Sequence, residues 1–474
     1  MIARRVMHVP WPGVAAAVLL VGGFWIQFRP RAKDEPEAAF AKATMSQCDD
    51  HTQEPDFDEV EFAGTAAQLA ARLGDRHEVE PMFPIDEPAL AHWFRVPHAA
   101  ANRLATIPGV TYVGAPPRIA APHGPRDASA RRGFTRCAEK TSSLVDAQAY
   151  LEAAPGCIDA LAGWTHPGGR GEHIQLGVVS TSLARRHEDL PKDRIDLVGR
   201  GDASPETGAT LGVVIAADNH VGMTGIAPAI TRTTLSNASG TSLAEAVEAA
   251  VHNLRPGDVL LLDVDGESGA TLGDTRRVPV EYWPSVFAVI KHATSRGVIV
   301  VEAAGDGGVD LDAPAFAGAF DRTRRDSGAI LVGAGAPAVS SLARSRLPFS
   351  NFGRRVDVQG WGAQVASVGG GELQWCADPE ADKLGGPEVA HKDRRDYTDV
   401  AGGSGVAAAM VAGAAAQISG AYREAHDAPI APAVLRDLLV ATGSPQVATP
   451  EALVAQHIGP LPDVKAALAA IDRR

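Results

Sequence analysis

Acidic and hydroxyl side chains occur where apolar, strand-like runs of this sequence end, and these positions are the first candidates for chemistry. Ser180 closes one apolar run, and Asp263, Asp265 and Gly266 come directly after another. Asp306 follows the small residues that end a third run. Parallel α/β sheets bind ligands at the carboxyl ends of their strands.

One acidic loop also has carboxylates in a spacing that suits a cation. Asp306, Asp310 and Asp312 could supply the oxygen ligands that Ca²⁺ prefers. The spacing is not that of an EF-hand loop, and solvated acids are the commoner use of such a segment. We predict no cofactor, with calcium as the alternative.

The composition is that of a soluble globular protein with an acidic surface. The chain has 474 residues, of which 45% are hydrophobic and 21% charged, and its net charge is −13. That charge, without a long basic run, argues against nucleic acid or an anionic membrane surface as the main partner.

The first 33 residues read as a signal peptide or a single membrane anchor. Arg4 and Arg5 precede the uncharged stretch 9–28, and further basic residues follow it. Residues 34–55 are a polar spacer. We expect the main domain outside the cytoplasm, either secreted, periplasmic or membrane-anchored, with membrane contact only through this N-terminal segment.

The four cysteines, Cys48, Cys137, Cys157 and Cys376, lack the spacing of a metal site. An even number behind an export signal fits one or two disulfides, and three pairings are open. Free buried thiols are the alternative.

Behind the spacer, the pattern predicts a small α+β domain over residues 56–120. Strand-like segments at 60–62, 79–83, 92–96 and 110–113 alternate with helical segments at 66–73 and 99–105. The order βαββαβ is that of a ferredoxin-like fold. Residues 121–155 are predicted as a linker, and the Pro- and Arg-rich stretch 116–135 as exposed.

From residue 156 to 474 the pattern predicts one larger α/β domain. Near-continuous apolar runs at 174–179, 259–262, 297–301 and 330–332 alternate with Gly- and Ala-rich helical stretches. Such runs indicate a mostly parallel sheet that is buried on both faces between helices, as a three-layer α/β/α architecture.

Short motifs in this larger domain resemble those of the subtilisin-like serine peptidases, the subtilases. They occur in the family's order across residues 156–472, and the small domain before them resembles the family's propeptide. The motifs are Gly-Ile-Ala-Pro at 225–228, Val-Val-Glu-Ala-Ala-Gly at 300–305, Phe-Ser-Asn-Phe-Gly at 349–353, Val-Asp-Val at 356–358, Val-Ala-Gly-Ala-Ala at 411–415 and Ile-Gly-Pro at 458–460.

The resemblance assigns four catalytic positions, and each holds a residue that differs from the family's. The aspartate position is Ser180, the histidine position is Thr207, and the nucleophile position is Gly405. The position of the oxyanion-binding asparagine is Asp306. Glycine supplies no nucleophile, threonine is a poor base, and an ionised carboxylate opposes the negative charge of the transition state.

The resemblance therefore implies a pseudopeptidase that binds a peptide or protein, or serves as a structural scaffold. The alternative is an active serine-type endopeptidase that uses the neighbouring Ser404. A further alternative is the acid chemistry of the related sedolisins, with Glu206 and Asp306, but it still lacks a nucleophile.

In the family, the strand at Asp263, Asp265 and Gly266 pairs with extended substrate. A groove retained there would hold a peptide by strand addition. Because a chain without a nucleophile cannot cut itself, we expect the propeptide-like domain to stay attached and cover this groove. The expected partners are this domain and, beyond it, extended peptides or a protein.

Overall fold

The structure is a computed structural model whose description excludes the N-terminal segment and several internal stretches. The predicted signal or anchor at 1–33, the spacer at 34–55, Thr207 and Glu206 lie outside the described residues. The described residues are 56–74, 78–84, 87–122, 141–181, 187–198, 208–239, 241–268, 276–374, 395–449 and 456–472.

The N-terminal domain is a four-stranded antiparallel sheet with helices on one face. Its strand order is β2-β3-β1-β4, which is the ferredoxin-like arrangement expected for βαββαβ. Thr65 and Gln68 form a capping box at the first helix, and Gly74 ends that helix with a positive φ of 88°. The elements are β1 (Phe57–Phe62), α1 (Ala66–Leu73), β2 (Glu80–Pro81), β3 (Trp93–Pro97), α2 (Ala101–Leu104), β4 (Val110–Gly114) and β5 (Ile119–Ala120).

The main domain is built on a seven-stranded parallel sheet with the order β14-β13-β12-β9-β6-β8-β7. The predicted fold class is thereby confirmed. Its strands are β6 (Gln175–Ser180), β7 (Ile195–Val198), β8 (Arg232–Asn237), β9 (Val259–Asp263), β12 (Ile299–Ala303), β13 (Ile330–Gly335) and β14 (Val358–Trp361), with smaller pairings among β10 (Asp265–Ser268), β11 (Arg276–Val278), β15 (Val365–Val368) and β16 (Tyr397–Ala401).

Alternate residues of each central strand enter different cores, which explains the near-continuous apolar runs. In β9, Val259 and Leu261 lie in one core, and Leu260 and Leu262 lie in the other. Side chains of a strand alternate between its faces, so both faces must be apolar when helices cover both.

Helices cover the two faces of this sheet. The first core holds α4, α7, α8 and α9, and the second holds α5 and α6. Among the described residues, α7 is long and apolar enough to span a membrane, yet it is buried along its length as the central core helix. The helices are α3 (Ala160–Trp164), α4 (Ala209–Ile215), α5 (Leu243–Val251), α6 (Pro284–Ser295), α7 (Ser404–His426), α8 (Pro432–Thr442) and α9 (Val464–Ile471), and short 3₁₀ turns include Val145–Ala147 and Ala149–Leu151.

The described ends of the segment between the two domains are partly buried. Pro116, Pro117 and Pro122 are buried, so the expectation of exposure is wrong for these residues. Tyr150 and Leu151, at the other end, pack into the first core. The main domain's packing thus begins before residue 156.

Candidate functional site

Two neighbouring parallel strands bring Ser180 and Asp263 together. Ser180 ends β6, Asp263 ends β9, and the two residues are directly opposite each other in the sheet. The Ser180 hydroxyl donates to Asp263 Oδ2 at 3.2 Å. Thr210, in the first turn of α4, donates to the same oxygen at 2.9 Å. Both hydroxyl groups therefore hold the same oxygen, Oδ2, of the Asp263 carboxyl group.

The other oxygen of Asp263 occupies the space that a side chain at position 405 would need. A Cβ added to Gly405 would collide with Asp263 Oδ1 and would lie 2.8 Å from Cγ of Pro122. Asp263 is only 2% exposed, and its Oδ1 has no hydrogen-bond partner among the described residues. A carboxyl group thus fills the space beside the backbone of Gly405.

Asp306 caps the N-terminus of the central helix. Its Oδ1 accepts a hydrogen bond from the backbone N–H of Ser404 at 2.9 Å. A carboxylate at a helix N-terminus compensates the unpaired N–H groups and the positive end of the helix dipole. This gives Asp306 a structural role at the position where the resemblance expects an oxyanion-binding amide.

Ser404 uses its hydroxyl in the same junction. Its Oγ accepts from the backbone N–H of Gly305 at 3.1 Å, and the residue is completely buried. Among the described residues, no histidine hydrogen-bonds to Ser404 or to Thr210. Neither hydroxyl therefore contacts an imidazole base, the partner of the serine in a catalytic triad, and the groups beside them are the carboxyl groups of Asp263 and Asp306.

Asp265 connects the acid cluster to a cation. Nε of Arg277 donates to Asp265 Oδ1 at 2.8 Å, and the ion pair is completed through Nη2. The backbone N–H of Asp306 donates to Asp265 Oδ2 at 3.1 Å. The buried Asp265 is therefore paired, in contrast to Oδ1 of Asp263.

The three carboxyl groups shift one another's proton affinity. Burial raises the pKa of Asp263 to about 7, and Asp265 and Asp306 add to the rise. Burial, together with the charge of Asp265, raises the pKa of Asp306 to about 6. Burial also raises the pKa of Asp265, although Arg277 opposes that effect. Asp263 is therefore neutral in part of the population near pH 7.

The chain's own segment 119–122 lies in the groove beside these residues. β5 pairs antiparallel with β10, with Ala120 opposite Asp265 and Ile119 opposite Gly266. The N–H of Glu267 donates to the carbonyl of Arg118 at 2.8 Å. Nη2 of Arg277 donates to the carbonyl of Ala121 at 3.2 Å, which brings Pro122 to Gly405.

Position 266 has space only for a glycine, because an aromatic ring packs against its backbone. A Cβ at this position would lie 2.4 Å from atoms of the Trp283 ring, so the ring packs directly on the backbone of β10. Trp283 in turn belongs to the second core. The strand that pairs with segment 119–120 is thereby supported from behind by an aromatic side chain.

The structure brings together all the candidate site residues that it describes. Ser180 and Gly405 adjoin Asp263, Asp306 is hydrogen-bonded to Asp265, and Ser404 is hydrogen-bonded to Asp306. Thr207 lies outside the described residues, and the helix that follows it contributes Thr210. Proximity alone assigns no activity to these residues.

The acidic loop does not gather its carboxylates around one point. Asp310 accepts from the N–H of Asp312 at 2.9 Å, and Asp312 accepts from Arg354, whereas Asp306 caps α7. Among the described ranges, no group of three or more His, Cys, Asp or Glu residues has the geometry of a metal site. Of the cysteines, Cys157 is buried and the other three lie outside the described residues.

Sequence reasoning missed three residues of this site: Pro122, Thr210 and Arg277. Pro122 falls in a stretch whose composition is typical of an exposed linker. Arg277 and Thr210 act through contacts with residues distant in sequence, at Ala121 and Asp263. Contacts between residues that are far apart in the chain leave no local sequence pattern.

Comparison with known proteins identifies the family. The sequence profile of the subtilase family matches residues 207–459, which is more than half of the chain. None of the curated proteins matches.

Solved structures show the same fold at low sequence identity. The epidermin leader peptide processing serine protease of Staphylococcus aureus is 18% identical with a TM-score of 0.54, over 88% of this chain and 99% of that chain. Fervidolysin of Fervidobacterium pennivorans, a keratinolytic enzyme related to subtilisin, is 16% identical with a TM-score of 0.54, over 87% of this chain and 61% of that chain. Because the subtilase profile matches more than half of its length, this chain belongs to the subtilase family.

Proposed function

We propose that this chain is a catalytically inactive subtilase homologue that holds an extended peptide segment in its groove without cleaving it. The observation that carries the proposal is the geometry at Gly405. The position has no side chain, and the Asp263 carboxyl group fills the space beside it. An acyl-transfer reaction needs a nucleophile there, and this residue has no side-chain hydroxyl.

The geometry of Ser404 does not favour the alternative of an active endopeptidase. Its hydroxyl is buried and is hydrogen-bonded to the backbone N–H of Gly305. Catalysis requires a nucleophile that points at the substrate and a base in contact with it. Among the described residues, Ser404 contacts no histidine, and the acid beside it, Asp306, caps the helix.

Extensive contacts support retention of the N-terminal domain over the groove. Met82, Phe83, Leu90 and Trp93 pack in the same core as helices α5 and α6 of the main domain. Arg95 of β3 forms an ion pair with Glu245 of α5. Burial of apolar side chains at about 1.5–3 kcal/mol each makes separation of the two domains unfavourable.

We further propose that extended peptides or a protein partner use the same groove, and that the main domain works outside the cytoplasm. The support for an external location is the apolar segment near the N-terminus, and the net charge of −13 disfavours nucleic acid. Membrane contact is proposed only for that segment.

Purified full-length protein from a protease-poor host tests the loss of activity. We expect no hydrolysis of internally quenched peptide mixtures and no labelling by a fluorophosphonate probe, because the site lacks an activated hydroxyl. Ser404→Ala is the control and should behave like the unaltered protein. Hydrolysis or labelling that Ser404→Ala abolishes would establish the active alternative instead.

Intact mass of the same preparation tests whether the N-terminal domain is retained. We expect residues 56–122 to remain joined to the main domain during prolonged incubation. Release of a discrete fragment, prevented when the sample is denatured beforehand, would contradict the proposal.

A further inference from the structure

The Asp263 carboxyl group lies beneath an apolar cover that the chain itself supplies. Its Oδ1 and Cγ of Pro122 both adjoin the position where a Cβ of Gly405 would stand. Pro122 is buried and has no N–H, and its ring cannot donate a hydrogen bond to the carboxyl group. Oδ1 is therefore shielded from solvent at a place that the Pro122 ring also adjoins.

The charged groups around Asp263 also disfavour its ionised form. Asp265 at the start of β10 and Asp306 after β12 are both acidic and both raise the pKa of Asp263. The cation on this side, Arg277 of β11, is paired with Asp265. From β6 and α4, the facing groups are the neutral hydroxyls of Ser180 and Thr210.

An ionised Asp263 would thus be a buried charge whose second oxygen lacks a donor among the described residues. Leaving such a group without solvation is costly, and the protein must either keep it protonated or admit water. Pro122 is the residue of segment 119–122 that adjoins this space, so displacement of the segment would admit water beside Oδ1. The position of Pro122 and the protonation of Asp263 are therefore linked.

We propose that the Asp263 carboxyl group is a pH-sensitive latch, which keeps segment 119–122 in the groove while it is protonated and releases the segment when it ionises. The inference deepens the proposed function and rests on its claim that this segment occupies the groove. The release is local, because the N-terminal domain is held separately by the core that contains Met82 and Trp93.

The expected size of the effect follows from linkage. Burial raises the pKa of Asp263 to about 7 when the segment is in place, and exposure to water returns it towards the ordinary value near 3.8. The opening equilibrium then rises by up to about tenfold per pH unit below pH 7 and levels off above it.

Hydrogen exchange of the full-length protein, measured by mass spectrometry between pH 5 and 9, tests the latch. After correction for intrinsic exchange rates, we expect amides of residues 118–121 to exchange at least about tenfold faster at pH 8 than at pH 5. Amides of β1 and β3 are the internal reference and should change much less.

Asp263→Asn mimics the protonated side chain and should keep the segment protected at every pH. Asp310→Asn removes a nearby exposed charge and should behave like the unaltered protein. Asp306→Asn can keep the cap on Ser404 through its amide oxygen but removes one negative neighbour, so it should move the transition to lower pH.

The possible failures are distinguishable. Rapid exchange of the segment already at pH 5 would overturn the proposed occupancy of the groove. Protection that is independent of pH would overturn the latch and leave the occupancy intact. An unchanged transition in both Asp263→Asn and Asp306→Asn would show that another group controls opening, and would also overturn the latch.

Discussion

Gly405 and Asp263 meet at the junction of α7 and β9, and the space there is already filled. The colliding atoms are a hydrogen-bonded carboxyl group and a buried proline ring. Adding atoms to a packed interior forces neighbouring side chains out of their preferred positions. Restoring a nucleophile to this chain therefore disturbs its packing before it restores any chemistry.

Gly405→Ser is accordingly expected to lower stability without creating activity. We expect a loss of about 1–3 kcal/mol in the free energy of unfolding, measured by urea titration. Fluorophosphonate labelling should remain absent, because no base activates the new hydroxyl. Gly405→Ala is the matched control and should lose a similar amount. Labelling of the serine variant, or unchanged stability in both variants, would contradict this account.

The sequence assigned candidate residues by motif spacing and did not reveal their contacts. Ser180, Asp306 and Gly405 were assigned by their distance from motifs, and the structure places them around Asp263 and Asp265. The helix-capping role of Asp306 depends on a hydrogen bond to Ser404, 98 residues further along the chain. Spacing within a motif contains no information about such a contact.

At the scale of elements, two helices of the main domain point their N-termini at one carboxyl group of the other domain. Glu59 of β1 accepts from the hydroxyls of Ser242, the residue before α5, and Ser285, in the first turn of α6. A negative charge is favoured at helix N-termini. Burial nevertheless raises the pKa of Glu59 to about 7.

Glu59→Ala should weaken the attachment of the N-terminal domain more than a substitution of another acidic residue of β1 does. It leaves two buried hydroxyls without their acceptor, which costs about 1–3 kcal/mol. Urea unfolding followed by tryptophan fluorescence would measure this loss. Glu61→Ala, on the same strand but partly exposed, should change stability by less than about 1 kcal/mol. Equal losses in the two variants would contradict the special role of Glu59.

The strands and helices with a regular apolar pattern can be predicted from the sequence. Elements that form only because a distant segment pairs with them cannot. The apolar run of β9 has the length and the alternating environments of a strand buried on both faces. β5 has two residues in a proline-rich stretch and exists because β10 supplies its hydrogen-bonding partner. A strand of this length has no periodicity to detect.

Across the whole molecule, several buried acids hold protons more tightly than they would in an unfolded chain. Burial raises the pKa of Glu59 and Asp263 to about 7, and the pKa of Asp189 and Asp306 to about 6. Between pH 4 and 7 the folded protein therefore binds more protons than the unfolded chain. Stability must fall as the pH rises through this range.

The free energy of unfolding should accordingly be higher at pH 5 than at pH 8, and the fall that comes from these four acids should be complete by about pH 8. Each unit of pKa difference contributes about 1.4 kcal/mol, so the combined change is several kcal/mol. Urea titrations at fixed ionic strength would measure it. The double variant Glu59→Gln, Asp263→Asn should show a smaller dependence, and stability that rises towards pH 8 would contradict the assignment.

The occupant of the groove is joined to a docked domain through residues 115–118 alone. Its short tether gives it an effective local concentration that is roughly millimolar. A free peptide with the same intrinsic affinity must approach that concentration before it displaces half of the occupant. If free peptides use the proposed groove, we therefore expect only an abundant or unusually tight-binding competitor to displace this segment.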